Sequence, residues 1–245
     1  MGLNGFGSST SHGGASQSLS LPVTAGDVVV VQAALNPESE GFAPAAITVT
    51  SSPQQLTFQT RMMDQRSNSD ATWMWEEWAA ATATGTLTIT VDLTLTGVTI
   101  DCSGDICPAW SVIGYSVSGC PTPDSPWDPD PNLPYKDFND CNSVDGCSDP
   151  VYTSSAYDFV IFGIGSEGNP TVTAPAGWSM IADVNVASWM ANAVAYQVYS
   201  SPQSGTPTGN WVLNPGESAL WYVDAIVISE PQQAPTTLAL TASVV

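Results

Sequence analysis

Positive charge is almost missing from this chain. Arg61, Arg66 and Lys136 stand against 23 aspartates and glutamates, and the formal net charge is −20. A nucleic-acid strand would meet a field of its own sign, so nucleic acid is not an expected partner. Free copies should repel one another, and their packing should depend on screening by salt or calcium. Histidine is scarcer still: His12 lies in a Gly/Ser-rich stretch that could hardly hold a general base in place. No G-x-S-x-G element supplies a nucleophile. Glu76 and Glu77 are adjacent, and neighbouring strand residues point to opposite faces, so they cannot flank one glycosidic bond. Enzymatic activity and a resident organic cofactor are therefore not expected.

Other absences narrow the setting. No run is long and apolar enough to cross a membrane. Residues 1–20 lack the basic start and apolar stretch of a secretory signal, and Phe6 stands where a myristoylation site would carry Ser or Thr. Asparagines are present, yet none lies in an N-x-Ser/Thr sequon. Charged residues make up only 11% of the chain, while 43% are hydrophobic, including nine tryptophans. That composition supports a real core and argues against disorder.

Helical periodicity is nearly absent. β-branched and aromatic runs bounded by Gly, Pro, Ser and Asn recur instead, and they predict strands at 27–35, 47–51, 56–63, 71–80, 86–94 and 110–118. A second set falls at 158–165, 170–173, 178–184, 191–200, 210–213 and 219–229. The sets match in order: Asp27-Val-Val-Val-Val against Asp158-Phe-Val-Ile-Phe, Thr48-Val-Thr against Thr171-Val-Thr, and Trp110-Ser-Val-Ile against Trp221-Tyr-Val-Asp. This reads as an internal duplication. Thr86 to Leu95 alternates strictly, with Leu87, Ile89, Val91, Leu93 and Leu95 on one side, as in a strand with one wet face. Val28 to Val31 does not alternate, as in a strand covered on both faces. The expected fold is all-β, an antiparallel sandwich of jelly-roll or immunoglobulin type made of two similar halves. Its parts are a Gly/Ser-rich arm (1–22), a first half (23–118), a Cys/Asp/Pro-rich loop (119–154), a second half (155–230) and an apolar tail (231–245).

Four of the five cysteines lie in or near the loop. Local disulfides Cys102–Cys107 and Cys141–Cys147 are the simplest pairing, with Cys120 odd, although Cys120 could replace any partner. Zinc is the rival reading, but the spacings are not those of a zinc site. Disulfides would place the working protein outside a reducing cytosol. The loop also carries Asp128, Asp130, Asp137, Asp140 and Asp145, with Asp124 and Asp149 beside them. Such oxygens suit calcium, the one cofactor the sequence suggests, and a plain solvated acidic loop is the alternative. Trp73, Trp75 and Trp78, with Trp127 in the loop, are candidates for a sugar-stacking platform, against the ordinary expectation that strand aromatics fill a core.

The segments Gly114-Tyr-Ser-Val-Ser-Gly, Ser155-Ala-Tyr-Asp-Phe-Val, Pro175-Ala-Gly-Trp and Ala195-Tyr-Gln-Val resemble repeated β-sandwich modules of tailed-phage structural proteins and bacterial surface proteins. The resemblance implies a sandwich used for display or assembly, with self-association and neighbouring structural subunits as partners. It implies no catalytic residues. The expected role is a structural subunit of a virion, acting in the particle or at an extracellular surface. Two alternatives are a secreted filament or surface-layer subunit joined by strand donation from a terminus, and a carbohydrate-binding module whose partner is a glycan.

Overall fold

The computed structural model describes residues 1–36, 44–65, 72–95, 108–141, 147–186, 189–215 and 217–230. Among these there is no helix. The strands of the first half are β1 (Gly2–His12), β2 (Ser16–Val23), β3 (Val28–Asn36), β4 (Pro44–Ser52), β5 (Gln59–Gln65), β6 (Trp73–Ala80), β7 (Gly85–Leu95) and β8 (Ala109–Ser118). Those of the second are β9 (Tyr135–Cys141), β10 (Cys147–Thr153), β11 (Asp158–Glu167), β12 (Thr171–Thr173), β13 (Ser179–Val186), β14 (Met190–Tyr199), β15 (Gln203–Asn214) and β16 (Glu217–Val227).

Both halves have one connectivity. In the first, a sheet ordered β1-β8-β3-β6-β5 faces a sheet ordered β2-β7-β4; in the second, β9-β16-β11-β14-β13 faces β10-β15-β12. Adding eight to each label of the first half gives the second. The arrangement is that of an eight-stranded antiparallel jelly roll, with β5 at the edge of the larger sheet. The six strand pairs matched by sequence are β3/β11, β4/β12, β5/β13, β6/β14, β7/β15 and β8/β16.

Two segments differ from expectation. Residues 1–22 are not an arm, because β1 pairs with β8 along its length and β2 pairs with β7. In β2, Gln17, Leu19, Leu21 and Val23 point inward between outward Ser16, Ser18, Ser20 and Pro22, an alternation that the serines disguise. The glycines of β1 answer to crowding: a Cβ on Gly5 or Gly7 would strike the backbone oxygens of Pro22 and Ser20, where β2 passes beneath. Residues 119–154 are likewise not one loop, since β9 pairs with β16 and β10 with β15. The stretch before β9 is stitched to the end of β16, with Asp128 N–H donating to Ala225 O (2.9 Å) and Val227 N–H to Pro126 O (2.8 Å). The tail expected at 231–245 lies outside the described residues.

Each jelly roll has its own core. Leu21, Leu35, Trp73, Trp75, Leu87, Ile89 and Trp110 fill the first, and Val160, Phe162, Trp211, Leu213, Trp221 and Val223 the second. A third apolar layer, with Val30, Met74, Ile113, Phe159, Ile161, Val194 and Ile226, lies between the two five-stranded sheets. The stack is therefore four sheets deep. Strand β3 shows why the sequence permits this: Val28, Val30 and Ala34 face the seam while Val29, Val31 and Leu35 face the first core, and all are fully buried.

Close approach across the seam depends on Gly163 of β11, whose added Cβ would collide with the Gln32 side chain and the Tyr222 ring. Gly163→Val should cost about 2 kcal/mol or more by overpacking. Gly85→Ala, where nothing lies within 4 Å of the new carbon, should be near neutral. Urea denaturation of the two variants checks this, and equal midpoints would contradict the tight seam.

Candidate functional site

Polar side chains gather inside the apolar seam, and nearly every inward-facing strand contributes one. Gln32 of β3 donates to Asn192 of β14 and to Ala193 O (3.3 Å), and accepts from the Tyr222 hydroxyl of β16 (2.9 Å). Asn192 in turn donates to Ser111 O of β8 (3.4 Å). Arg61 of β5 reaches across to Asp224 of β16 in a two-pronged ion pair, Nε to Oδ2 at 2.6 Å and Nη2 to Oδ1 at 3.0 Å. At the seam margin Asn36 donates to Trp189 O (2.8 Å) and Lys136 to Met63 O (3.0 Å). Every one of these bonds ties one jelly roll to the other.

The charge balance at the centre is uneven. Glu76 and Asp224 are both fully buried, and the Arg61 guanidinium beside them is bonded to Asp224. Burial and the Asp224 charge push the Glu76 acid well above its ordinary range, against the pull of Arg61 and of Tyr222. Asp224 is raised by burial but opposed by its hydrogen bonds and ion pair to Arg61. The consistent state near neutrality is an Arg61–Asp224 ion pair beside a protonated Glu76. The phenols of Tyr115 and Tyr222 are raised by burial and by the neighbouring acids, and stay neutral. Arg61, whose side chain is 21% exposed, carries the centre to the protein surface.

Beside this centre the surface opens into a cleft of about 280 Å³, bounded by Gln55, Leu56, Thr57, Gln59, Trp78, Ala80, Thr82 and Asp124. The link is aromatic: Trp78 meets Trp127 edge-on at 6.0 Å, and the Arg61 guanidinium sits 4.7 Å above the Trp127 ring.

The sequence-derived candidates fare unevenly. Trp73 and Trp75 do share a face, but it is the face of the first core, where both are buried, so they form no sugar platform. Trp127 is half-buried under Arg61 rather than exposed. Trp78, one strand position out of phase with the other two, is the tryptophan that reaches a cleft; the period of β6 distinguishes it, since even positions face the seam. Glu76 and Glu77 point apart as expected, with Glu77 accepting from Thr60 Oγ1 at 2.6 Å. His12 lies on β1 and stacks on Trp189 at 5.5 Å.

Asp128, Asp130 and Asp137 are occupied locally. Asp128 accepts from Asp130 N, Ser154 N, Ser154 Oγ and Ser155 N; Asp130 accepts from Asn132 N and Nδ2; Asp137 accepts from Phe138 N. Such turn-capping uses the lone pairs a calcium ion would need. No cluster of three or more acidic, Cys or His side chains able to hold a metal occurs among the described residues. Asp145 and the side chain of Asp140 lie outside them. Cys147 is buried and disulfide-bonded, and Cys120 is a free thiol. Cys102, Cys107 and the side chain of Cys141 lie outside the described residues. Asp158, buried beside the Asp128 carboxylate, and Asp149, buried near Asp137, are each pushed up to about 7. No protein-family model, curated protein or solved structure matches the chain.

Two predictions follow from the charges. Arg61→Met leaves Asp224 buried without its partner and should cost about 3 kcal/mol, much of it recovered in Arg61→Met with Asp224→Asn. A double-mutant cycle by chemical denaturation measures it, and simple additivity would deny the coupling. The pH dependence has a definite sign. Carboxyl groups raised when folded retain protons that the unfolded chain releases, so their contribution is complete below the ordinary carboxylate range and is lost as pH rises through about 7. The urea midpoint should be lower at pH 8 than at pH 5, with a shallower fall in Asp149→Asn with Asp158→Asn. A midpoint that rises with pH would contradict the assignment.

Proposed function

We propose that the chain is a structural subunit of a virion, as a capsid, capsid-decoration or tail component. The observation that carries this reading is the tandem of two jelly rolls of equal connectivity stacked into one four-sheet body, since jelly rolls are a common building unit of viral capsids. The surface supports the reading independently of the architecture. The outer face of the sheet β2-β7-β4 exposes Ser16, Ser18, Ser20, Thr48, Thr50, Thr86, Thr88 and Thr94, with Asp92 its single charge among them. On a chain of net charge −20, a flat hydroxyl-bearing face is where like-charged copies meet at least electrostatic cost. Serine and threonine also lose little rotamer freedom on contact. The alternative of a secreted filament or surface-layer subunit rests on strand donation by the tail, which lies outside the described residues.

Assembly should follow screening. At about 1 M salt the Debye length falls to about 3 Å, and the purified chain should form regular particles or sheets by light scattering and negative-stain electron microscopy; at about 0.01 M it should be monomeric. Thr48→Glu with Thr88→Glu should block assembly without lowering the melting temperature. A monomer under all salt and calcium conditions would sink the reading.

A further inference from the structure

We infer that the cleft beside Trp78, walled by Gln55, Thr57, Gln59 and Asp124, binds a neutral saccharide. The inference does not rest on the assembly reading, because the cleft belongs to one copy of the chain. Its first wall is the extended segment leading into β5. Leu56 and Phe58 of that segment pack on the first core, which turns Gln55, Thr57 and Gln59 outward in a row. Asp124, from the connection between the jelly rolls, stands opposite, and Ala80 and Thr82 close the remaining side.

The back of the cleft is held still before any ligand arrives. Trp78 is 6% exposed and is braced edge-on by Trp127, which lies under Arg61, itself fixed by its two bonds to Asp224. Gln54 holds the turn behind the cleft, its Oε1 accepting from Thr82 N, Thr82 Oγ1 and Ala83 N, each at 2.9 Å. By contrast, the side chains of Gln55, Thr57, Gln59 and Asp124 make no hydrogen bond to the described protein, so their donors and acceptors are free for a ligand. Pre-organisation of this kind lowers the ordering cost of binding.

The chemistry of the lining selects the ligand class. An anion would face Asp124 and a strongly acidic chain, and the nearest cation, Arg61, is already paired. A wholly apolar ligand would strip water from two amides, a hydroxyl and a carboxylate without replacing their bonds. A neutral pyranoside meets both demands: its C–H groups rest on the apolar part of the lining, Leu56, Ala80 and the narrow edge of Trp78 that reaches the cleft, and its ring hydroxyls donate to Asp124 and exchange bonds with Gln55, Thr57 and Gln59. The volume of about 280 Å³ lies near the lower limit for small-molecule sites and suits roughly one or two sugar rings.

The test uses the full chain on an immobilised panel of neutral gluco-, galacto-, manno- and xylo-oligosaccharides and β-linked N-acetylglucosamine, together with acidic saccharides. The retained sugar is then titrated while tryptophan fluorescence is followed. Trp78 also packs in the seam, so the surface variants Gln59→Ala and Asp124→Ala carry the test. At least one neutral sugar should bind saturably, and each variant should weaken it by about tenfold, the effect of one lost hydrogen bond, with an unchanged melting temperature. Retention of no sugar, retention of acidic sugars alone, or affinity untouched by both variants would overturn the assignment. Particle formation is scored separately, so either result leaves the other standing.

Discussion

A sheet that is apolar on both faces cannot stand at a surface, and this constraint organises the molecule. Strands β3, β8, β11 and β16 bury almost every side chain on either side. Each three-stranded sheet covers only one face of its five-stranded partner. The other must find cover, and here it finds the corresponding face of the second jelly roll. The seam is thus the structural reason for having two halves: a single jelly roll with this sequence pattern would expose Val28, Val30, Met74 and Ile113 or their counterparts to water. The third core is shared, whereas the first two are private.

How the duplicated halves meet is visible along β3 and β11. Asp27-Val-Val-Val-Val-Gln32 aligns with Asp158-Phe-Val-Ile-Phe-Gly163, so Gln32 and Gly163 are equivalent positions, and so are Ala34 and Gly165. In the folded chain these equivalents meet: Gln32 crosses onto Gly163, and a Cβ on Gly165 would press on Ala34. Two glutamines could not share that place, so one half keeps the side chain and the other the glycine. The asymmetry extends to the charges, with Arg61 and Glu76 drawn from the first half and Asp224 from the second.

Much of this was legible in the sequence, and the failures have physical causes. The six matched strand pairs were readable because β-branched runs with turn residues between them are dictated locally. The first two strands of each half were not: in β2 serine stands on every wet position, in β1 glycine answers to a close crossing, and β9 and β10 are short and polar. All four look like linker by composition. The site was harder still. Trp73, Trp75 and Trp78 are close in sequence, and only the phase of β6 decides that the first two fill a core while the third reaches the seam and its cleft. Asp128, Asp130 and Asp137 suggested ligands, yet the turns they sit in engage their lone pairs, a fact that depends on backbone N–H directions that composition does not carry.

The polar centre of the seam is best understood as a device for register. Two flat apolar sheets laid face to face have many near-equivalent alignments, and hydrophobic burial discriminates poorly among them. The Arg61–Asp224 pair is two-pronged, and the Gln32 amide is satisfied only when Asn192, Ala193 O and Tyr222 are all in place. A shift by one residue would leave a charge and several amides buried without partners, each at a cost of about 1 to 3 kcal/mol. Burying the pair adds little net stability, because desolvation offsets most of the attraction. Its effect falls on the misaligned states, which it makes expensive. That fixed alignment also sets the Trp127 and Trp78 rings against each other, so the back of the surface cleft inherits its rigidity from a charge pair buried beneath it.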